Sequence, residues 1–138
     1  LGERTITLDC DVLQADGGTR TLCITAAWLA LADALRTVRR ELPDPARSPL
    51  LDSVAAVSVG RVAGRLLVDL DYSEDVAAEV DTNVVLTGGG RFVEVQGTGE
   101  EATFDRAELD EMLAAAGRAA ATLTSLQRKA LGREWPLS

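Results

Sequence analysis

The sequence predicts an α+β or mixed α/β domain in which helices pack on a mixed sheet. Three observations carry this. An alternating segment stands near the start, a nearly all-apolar helical stretch follows it, and four more strand-like segments precede one long helical stretch. With 138 residues, 46% of them hydrophobic, the chain can build one compact domain with a core of its own.

The first element is "TITLDCDVL". Ile6, Leu8, Cys10 and Val12 alternate with Thr5, Thr7, Asp9 and Asp11. This period of two predicts a half-buried strand. Asp9 and Asp11 share its outer face, as a ligand pair or, more simply, as a solvated surface. "QADGG" breaks the strand, and a helical pattern runs from about Thr19 to Glu41. Between Leu22 and Leu35 it is apolar nearly all round, which predicts a helix covered on most sides. Arg36, Arg39 and Arg40 suit the negative end of its dipole, with RNA contact as the other reading.

"LPDPARSP" holds three of the four prolines and reads as a loop. "VAAVSVGRVAGRLLVDLDY" predicts two strands turning near Gly64. "DTNVVLTGGGRFVEVQGTG" predicts a hairpin turning at residues 88–90. Phe104, Asp105 and Glu108 form a staple and capping box that start the last helix. Leu109, Met112, Leu113, Ala116, Ala120 and Leu123 keep helical spacing along it, and Gly132 closes it.

Composition narrows the chemistry. There is no histidine, which removes Ser-His-Asp and Cys-His catalysis and most zinc sites. Cys10 and Cys23 have no metal-type spacing and read as small buried hydrophobes in a reducing cytoplasm. No apolar run of membrane-spanning length and no signal peptide is present. The net charge of −8 argues against a general nucleic-acid binder, though not against a local basic site. The basic residues are thirteen arginines and one lysine, a bias that favours bidentate contact with phosphate or carboxylate. The chain begins with Leu1 and is soon strand-like, so a trimmed or cleaved product is the simplest expectation.

Two stretches could carry chemistry. In "ADGGTRT" a strand ends, glycines turn the chain and a helix begins. The first amides of a helix lack internal partners and carry the positive end of its dipole. Gly18 permits close approach, while the Thr19 hydroxyl and the Arg20 guanidinium add donors, so the turn suits a phosphate. A cation at a helix N-terminus costs ~0.3–1 kcal/mol, which a bound anion would offset. The plainer reading is a turn whose arginine pairs with Asp16 or another carboxylate. In "DLDYSEDVAAEVDTN" six acidic residues fall within 13 positions, among them Asp75 and Asp81. Such a run is usually a solvated face. Clustered carboxylates also suit Mg2+ or Mn2+, which take one or two of them with water and substrate phosphates.

"GERTITLDCDVLQADGGTRTLCITAAWLALADAL", "DLDYSEDVAAEVDTNVVLTGGGRFVEVQGTGE" and the "LQRKAL" of the last helix closely resemble the ribonuclease PH family over nearly the whole chain. The resemblance implies a phosphorolytic 3′-to-5′ exoribonuclease, a tRNA nucleotidyltransferase. Inorganic phosphate would release nucleoside diphosphates from the 3′ ends of tRNA precursors and other RNAs. It places Gly18, Thr19 and Arg20 on the phosphate and Asp75 and Asp81 on Mg2+ as the catalytic pair. It implies a cytoplasmic hexameric ring of one βαβ domain, residues 1–138, similar to ribosomal protein S5 domain 2. Family chains carry a further N-terminal portion, which the resemblance implies as a separate piece required for activity. The competing implication is a non-catalytic ring subunit that binds RNA or scaffolds.

Overall fold

The computed structural model describes residues 1–137. Its elements, in order, are α1 (Thr19–Thr37), a short 3-10 turn (Arg39–Glu41), β1 (Val54–Val62), β2 (Arg65–Val68), α2 (Tyr72–Val76), β3 (Val80–Thr87), β4 (Phe92–Gly99) and α3 (Arg106–Leu131). The four strands form one sheet in the order β2-β1-β3-β4, antiparallel at every pairing. The sheet is therefore not mixed. The half-buried strand expected at residues 5–12 is also absent: the segment has no strand neighbour, and alternation makes a strand only where a ladder can form. Cys10 is accordingly exposed and Cys23 half-buried, not the buried pair expected.

α3 covers one face of the sheet. Met112, Ala115, Ala116 and Ala120 recur at helical spacing and meet Ala55, Val57, Val59, Val80, Val84 and Leu86. The small alanines let the helix approach closely, and the Thr82 hydroxyl donates to Met112 Sδ at 3.6 Å. The capping box is present: Asp105 accepts from the Glu108 amide, and Glu108 from the Asp105 amide. Phe104 and Leu109 pack against the same core.

β2 pairs with β1 over Val59–Val62 and the Asp69 amide donates to the Ser58 carbonyl, which leaves the Val54–Val57 edge of β1 open. α1 closes it. The Thr25 hydroxyl accepts from the Ala56 amide at 3.0 Å and donates to the Ala56 carbonyl at 3.3 Å, standing in for a neighbouring strand. Gln127 of α3 ties the corner by donating to the Thr25 and Val54 carbonyls. Trp28 Nε1 donates to the Asp52 carbonyl. α1 is buried along Thr21, Thr25, Trp28, Ala32 and Leu35. Its opposite side is not covered as expected: Leu22 is 65% exposed and Ala26 and Ala30 face solvent. No helix among the described residues is long and apolar enough to cross a membrane.

Candidate functional site

The fold brings the two chemically promising stretches together. The turn before α1 uses positive φ at both Gly17 (108°) and Gly18 (59°). It docks on the start of the acidic loop, where the Tyr72 amide donates to the Asp16 carbonyl at 2.7 Å. The approach is close enough that a Cβ on Gly17 would meet the Leu70 carbonyl at 2.5 Å. Asp69, itself at positive φ (61°), sets its Oδ1 3.7 Å from the place of a Gly18 Cβ. A cavity of about 620 Å3 opens beside this junction, between the glycine turn, Asp69, Asp71 and the Ala119–Leu123 stretch of α3.

α1 differs from the other two helices at its start. α2 and α3 each carry an aspartate capping box. α1 has Gly18 at its N-cap, no side-chain cap and no acidic residue in its first turn. Its leading amides and dipole are thus left to an external acceptor. Arg20 reaches across to β4, where Nη2 donates to Glu94 Oε1 at 2.9 Å and Oε2 at 3.0 Å. The carboxylate partner that the sequence left open is Glu94, not Asp16.

The acidic stretch resolves into two parts. Asp71 and Glu74 cap α2, and the Asp71 carboxyl is held below its ordinary value by bonds from the Ser73 hydroxyl and then the Glu74 amide. Of the other four, Asp69 stands by Gly18 and Glu79 accepts from the Gly64 amide at 3.4 Å, which leaves Asp75 on α2 and Asp81 on β3. Burial, and next the negative charge of Asp75, push the Asp81 carboxyl up; the Thr82 amide opposes this and Glu100 adds to it. Oδ1 of Asp81 is buried without any hydrogen-bond partner. Oδ2 accepts from Asn83 Nδ2 at 3.3 Å. Two oxygen donors, one of them desolvated and unbonded, fit a hard cation that completes its shell with water and phosphate. No group of three or more His, Cys, Asp or Glu is placed for a metal among the described residues, so the protein would supply this pair alone.

Register places these groups on one surface. Thr82 and Val84 face α3, so Asp81, Asn83 and Val85 face away from it. Val85 lies opposite Glu94, Asn83 opposite Gln96 and Ser58, and Asp81 opposite Gly60. The Arg20–Glu94 pair and Asp81 therefore share a face, about 13 Å apart along the strand. Arg20 makes no bond to Asp75 or Asp81. Glu94 and Asn83 were missed in the sequence. Asn83 had a local signal, its place two residues beyond Asp81 on the same strand face; Glu94 had none, because its partner lies 74 residues away.

Known proteins resemble this chain in sequence and in fold. Residues 2–36 match domain 1 of the 3′ exoribonuclease family and residues 52–119 match domain 2. Ribonuclease PH of Corynebacterium efficiens is 58% identical over 132 residues, which is 96% of this chain and 54% of that protein. The Mycolicibacterium smegmatis enzyme is 58% identical over 138 residues, 99% and 52% of the two chains. The chain thus spans about half the length of the curated relatives it matches. Rice (Oryza sativa) Rrp46 superposes with a TM-score of 0.67 at 18% identity, covering 86% of this chain and 50% of that one. C. elegans cell-death-related nuclease 5 gives 0.66 at 17%, covering 86% and 58%. The architecture is α+β of the ribosomal protein S5 domain 2-like kind. On both family domains and on identity near 58% across almost its whole length, this chain belongs to the ribonuclease PH family of 3′ exoribonucleases.

Proposed function

We propose that this chain supplies the phosphate site and the catalytic carboxylates of a phosphorolytic 3′-to-5′ exoribonuclease acting on tRNA precursors. The observation that carries the reading is Asp81: a half-buried carboxylate whose Oδ1 is buried and unbonded, beside Asp75, on the sheet face that Arg20 reaches through Glu94. A desolvated carboxylate next to a second negative charge is costly to keep ionised unless a cation joins it. Asp75 and Asp81 would hold Mg2+ or Mn2+, which supplies charge neutralisation to the reacting phosphates when bound. The open amides of α1, the Thr19 hydroxyl and Arg20 bind and orient inorganic phosphate for attack on the terminal phosphodiester. The bond from phosphate to the terminal phosphorus forms, the bond to the preceding 3′ oxygen breaks, and a nucleoside diphosphate leaves. Arg20 exchanges Glu94 for the phosphate as it binds.

The 138 residues act as one domain. The active body is a homo-oligomeric ring in which a further portion of the protein supplies basic RNA-contacting surface, since this chain is acidic. Arg20, Asp75 and Asp81 are all present, which favours the enzyme over a non-catalytic subunit. The test is incubation of a tRNA precursor with the chain, together with that further portion, with and without inorganic phosphate. Nucleoside diphosphates released only with phosphate support the reading. Phosphate-independent release of monophosphates, or stable RNA binding with no shortening, refutes it.

A further inference from the structure

Charge is distributed unevenly in this acidic protein. Residues 33–47 and 128–134 hold seven of the fourteen basic side chains and only four of the twenty-two acidic ones. One end of the molecule is therefore at +3 in a chain of −8. These two segments meet at the C-terminal end of α1, around a small cavity of about 90 Å3. Arg36, Arg39, Arg47 and Arg133 line it, with Glu134 as its one acidic wall.

The arginines are differently committed. Arg36 is paired with Asp33 at 3.5 Å and lies 4.0 Å from Glu134. Arg39 gives its Nε to the Pro45 carbonyl, which fixes the side chain and leaves both Nη groups over. Arg47 and Arg133 make no ion pair among the described residues. At the base of the cleft Trp135 packs against Trp28, centroids 5.1 Å apart and planes tilted by 45°, and carries Arg128 over its ring at 5.0 Å. The family matches cover residues 2–36 and 52–119, so Arg39, Arg47 and Arg133 all stand outside them. The cleft lies at the end of α1 opposite Gly18 and Arg20, a helix of 19 residues and so about 28 Å away.

We infer that this arginine cleft is a second RNA contact, one that holds a phosphodiester of the substrate strand away from the reacting 3′ end. The inference rests on the RNA substrate proposed above. A cavity of this size has room for a phosphate group. Guanidinium forks match phosphate oxygens. Arg128 already lies over the Trp135 ring, and the groups left over in the cleft are guanidinium donors, so contact is through the backbone, independent of sequence. RNA is favoured over other polyanions because the molecule is otherwise acidic: a single basic mouth on a repelling body selects a flexible, evenly charged strand that touches it at one place.

The test uses the full chain and a single-stranded RNA of about twenty nucleotides, followed by the emission of the Trp28–Trp135 pair across a salt series. RNA should change the emission, and affinity should fall with salt. The double variant Arg47→Gln and Arg133→Gln removes two phosphate contacts, so the log–log salt slope should flatten by about 1.4. Glu134→Gln removes the opposing charge and should tighten binding, which guards against a variant that fails merely by losing its fold. In phosphate-dependent shortening, the double variant should raise the RNA concentration needed and leave the phosphate requirement unchanged. RNA that binds both variants like the parent overturns the cleft while leaving the proposed activity standing. Emission that answers to free phosphate or to an anionic lipid vesicle, and not to RNA, also overturns it. A parent chain with neither RNA binding nor RNA shortening removes both.

Discussion

Nη2 of Arg20 donates to both carboxylate oxygens of Glu94, at 2.9 and 3.0 Å, so the first turn of α1 is tied to β4 by an exposed ion pair. The phosphate proposed for this turn must compete with that carboxylate. Exposed pairs of this kind are worth about 0.2–1 kcal/mol, so the competition is mild. Glu94→Gln should therefore lower the phosphate KM by less than about fivefold. Arg20→Ala removes charged hydrogen bonds to phosphate and should raise it by roughly ten- to a hundredfold, with RNA affinity little changed. Steady-state titration of phosphate and of RNA separates the two. A Glu94→Gln enzyme that needs more phosphate would assign Glu94 to positioning Arg20 and defeat the competition argument.

Asp81→Asn should cost orders of magnitude in rate and no stability at neutral pH. The Asp81 carboxyl is raised above the ordinary 3.8, first by burial and then by Asp75. The fold thus favours its neutral form. That favourable contribution is complete below the unfolded value and is lost as pH rises through the raised folded value. At pH 7 the ionised side chain is a burden that asparagine lacks, so Tm should be equal or higher in the variant. Near pH 3, where Asp81 is protonated, the Tm difference should shrink. Differential scanning calorimetry at both pH values checks this, and a clear drop in Tm at pH 7 would contradict it. Asp75→Asn should lose activity in the same way.

The sequence showed most of what local physics decides. The β3–β4 hairpin with its glycine turn, the capping box of α3 and its alanine stripe all follow from short-range spacing, and each stands as expected. What failed was long-range. Residues 5–12 alternate perfectly but find no ladder, and periodicity says nothing about whether a neighbour exists. α1 read as apolar all round, yet Leu22, Ala26 and Ala30 are open. Alanines fill a helix without marking which side is covered. The same division holds at the site. The glycine turn and the acidic cluster were legible as types of residue in sequence. The docking of Asp16 on Tyr72 and the partnership of Arg20 with Glu94 depend on how strands 40 or more residues downstream fold back.

Gly17→Ala should separate the glycine turn from the acidic loop. Gly17 sits at φ 108°, and its missing Cβ faces the Leu70 carbonyl at 2.5 Å, with Asp71 and Tyr72 backbone atoms within 2.9 Å. None of these is a flexible side-chain end. The turn must shift, at a cost of about 1–3 kcal/mol in strain. Both phosphate use and global stability should suffer. By contrast Gly64→Ala, whose Cβ would meet nothing within 4 Å, pays only for its positive φ of 72°. Chemical denaturation of the two variants makes the comparison, and equal losses would show that the close approach to Leu70 is not what holds the turn.

Thr25→Val should expose how α1 seals the sheet. Valine keeps the shape of threonine but removes the hydroxyl that serves the Ala56 amide and carbonyl at the open edge of β1. Thr25 and Ala56 are both buried, so water cannot easily replace the lost partner. A buried backbone group left unsatisfied costs about 1–3 kcal/mol. Thr25→Ser keeps the hydroxyl and loses one methyl, worth about 0.8 kcal/mol. The nearly isosteric change should thus be the more damaging of the two, which is the reverse of what hydrophobic burial alone would give. Urea unfolding with an unchanged m-value would report it as a shift in midpoint. If the valine variant is as stable as the parent, the edge of β1 is satisfied in some other way and the stand-in role of Thr25 is lost.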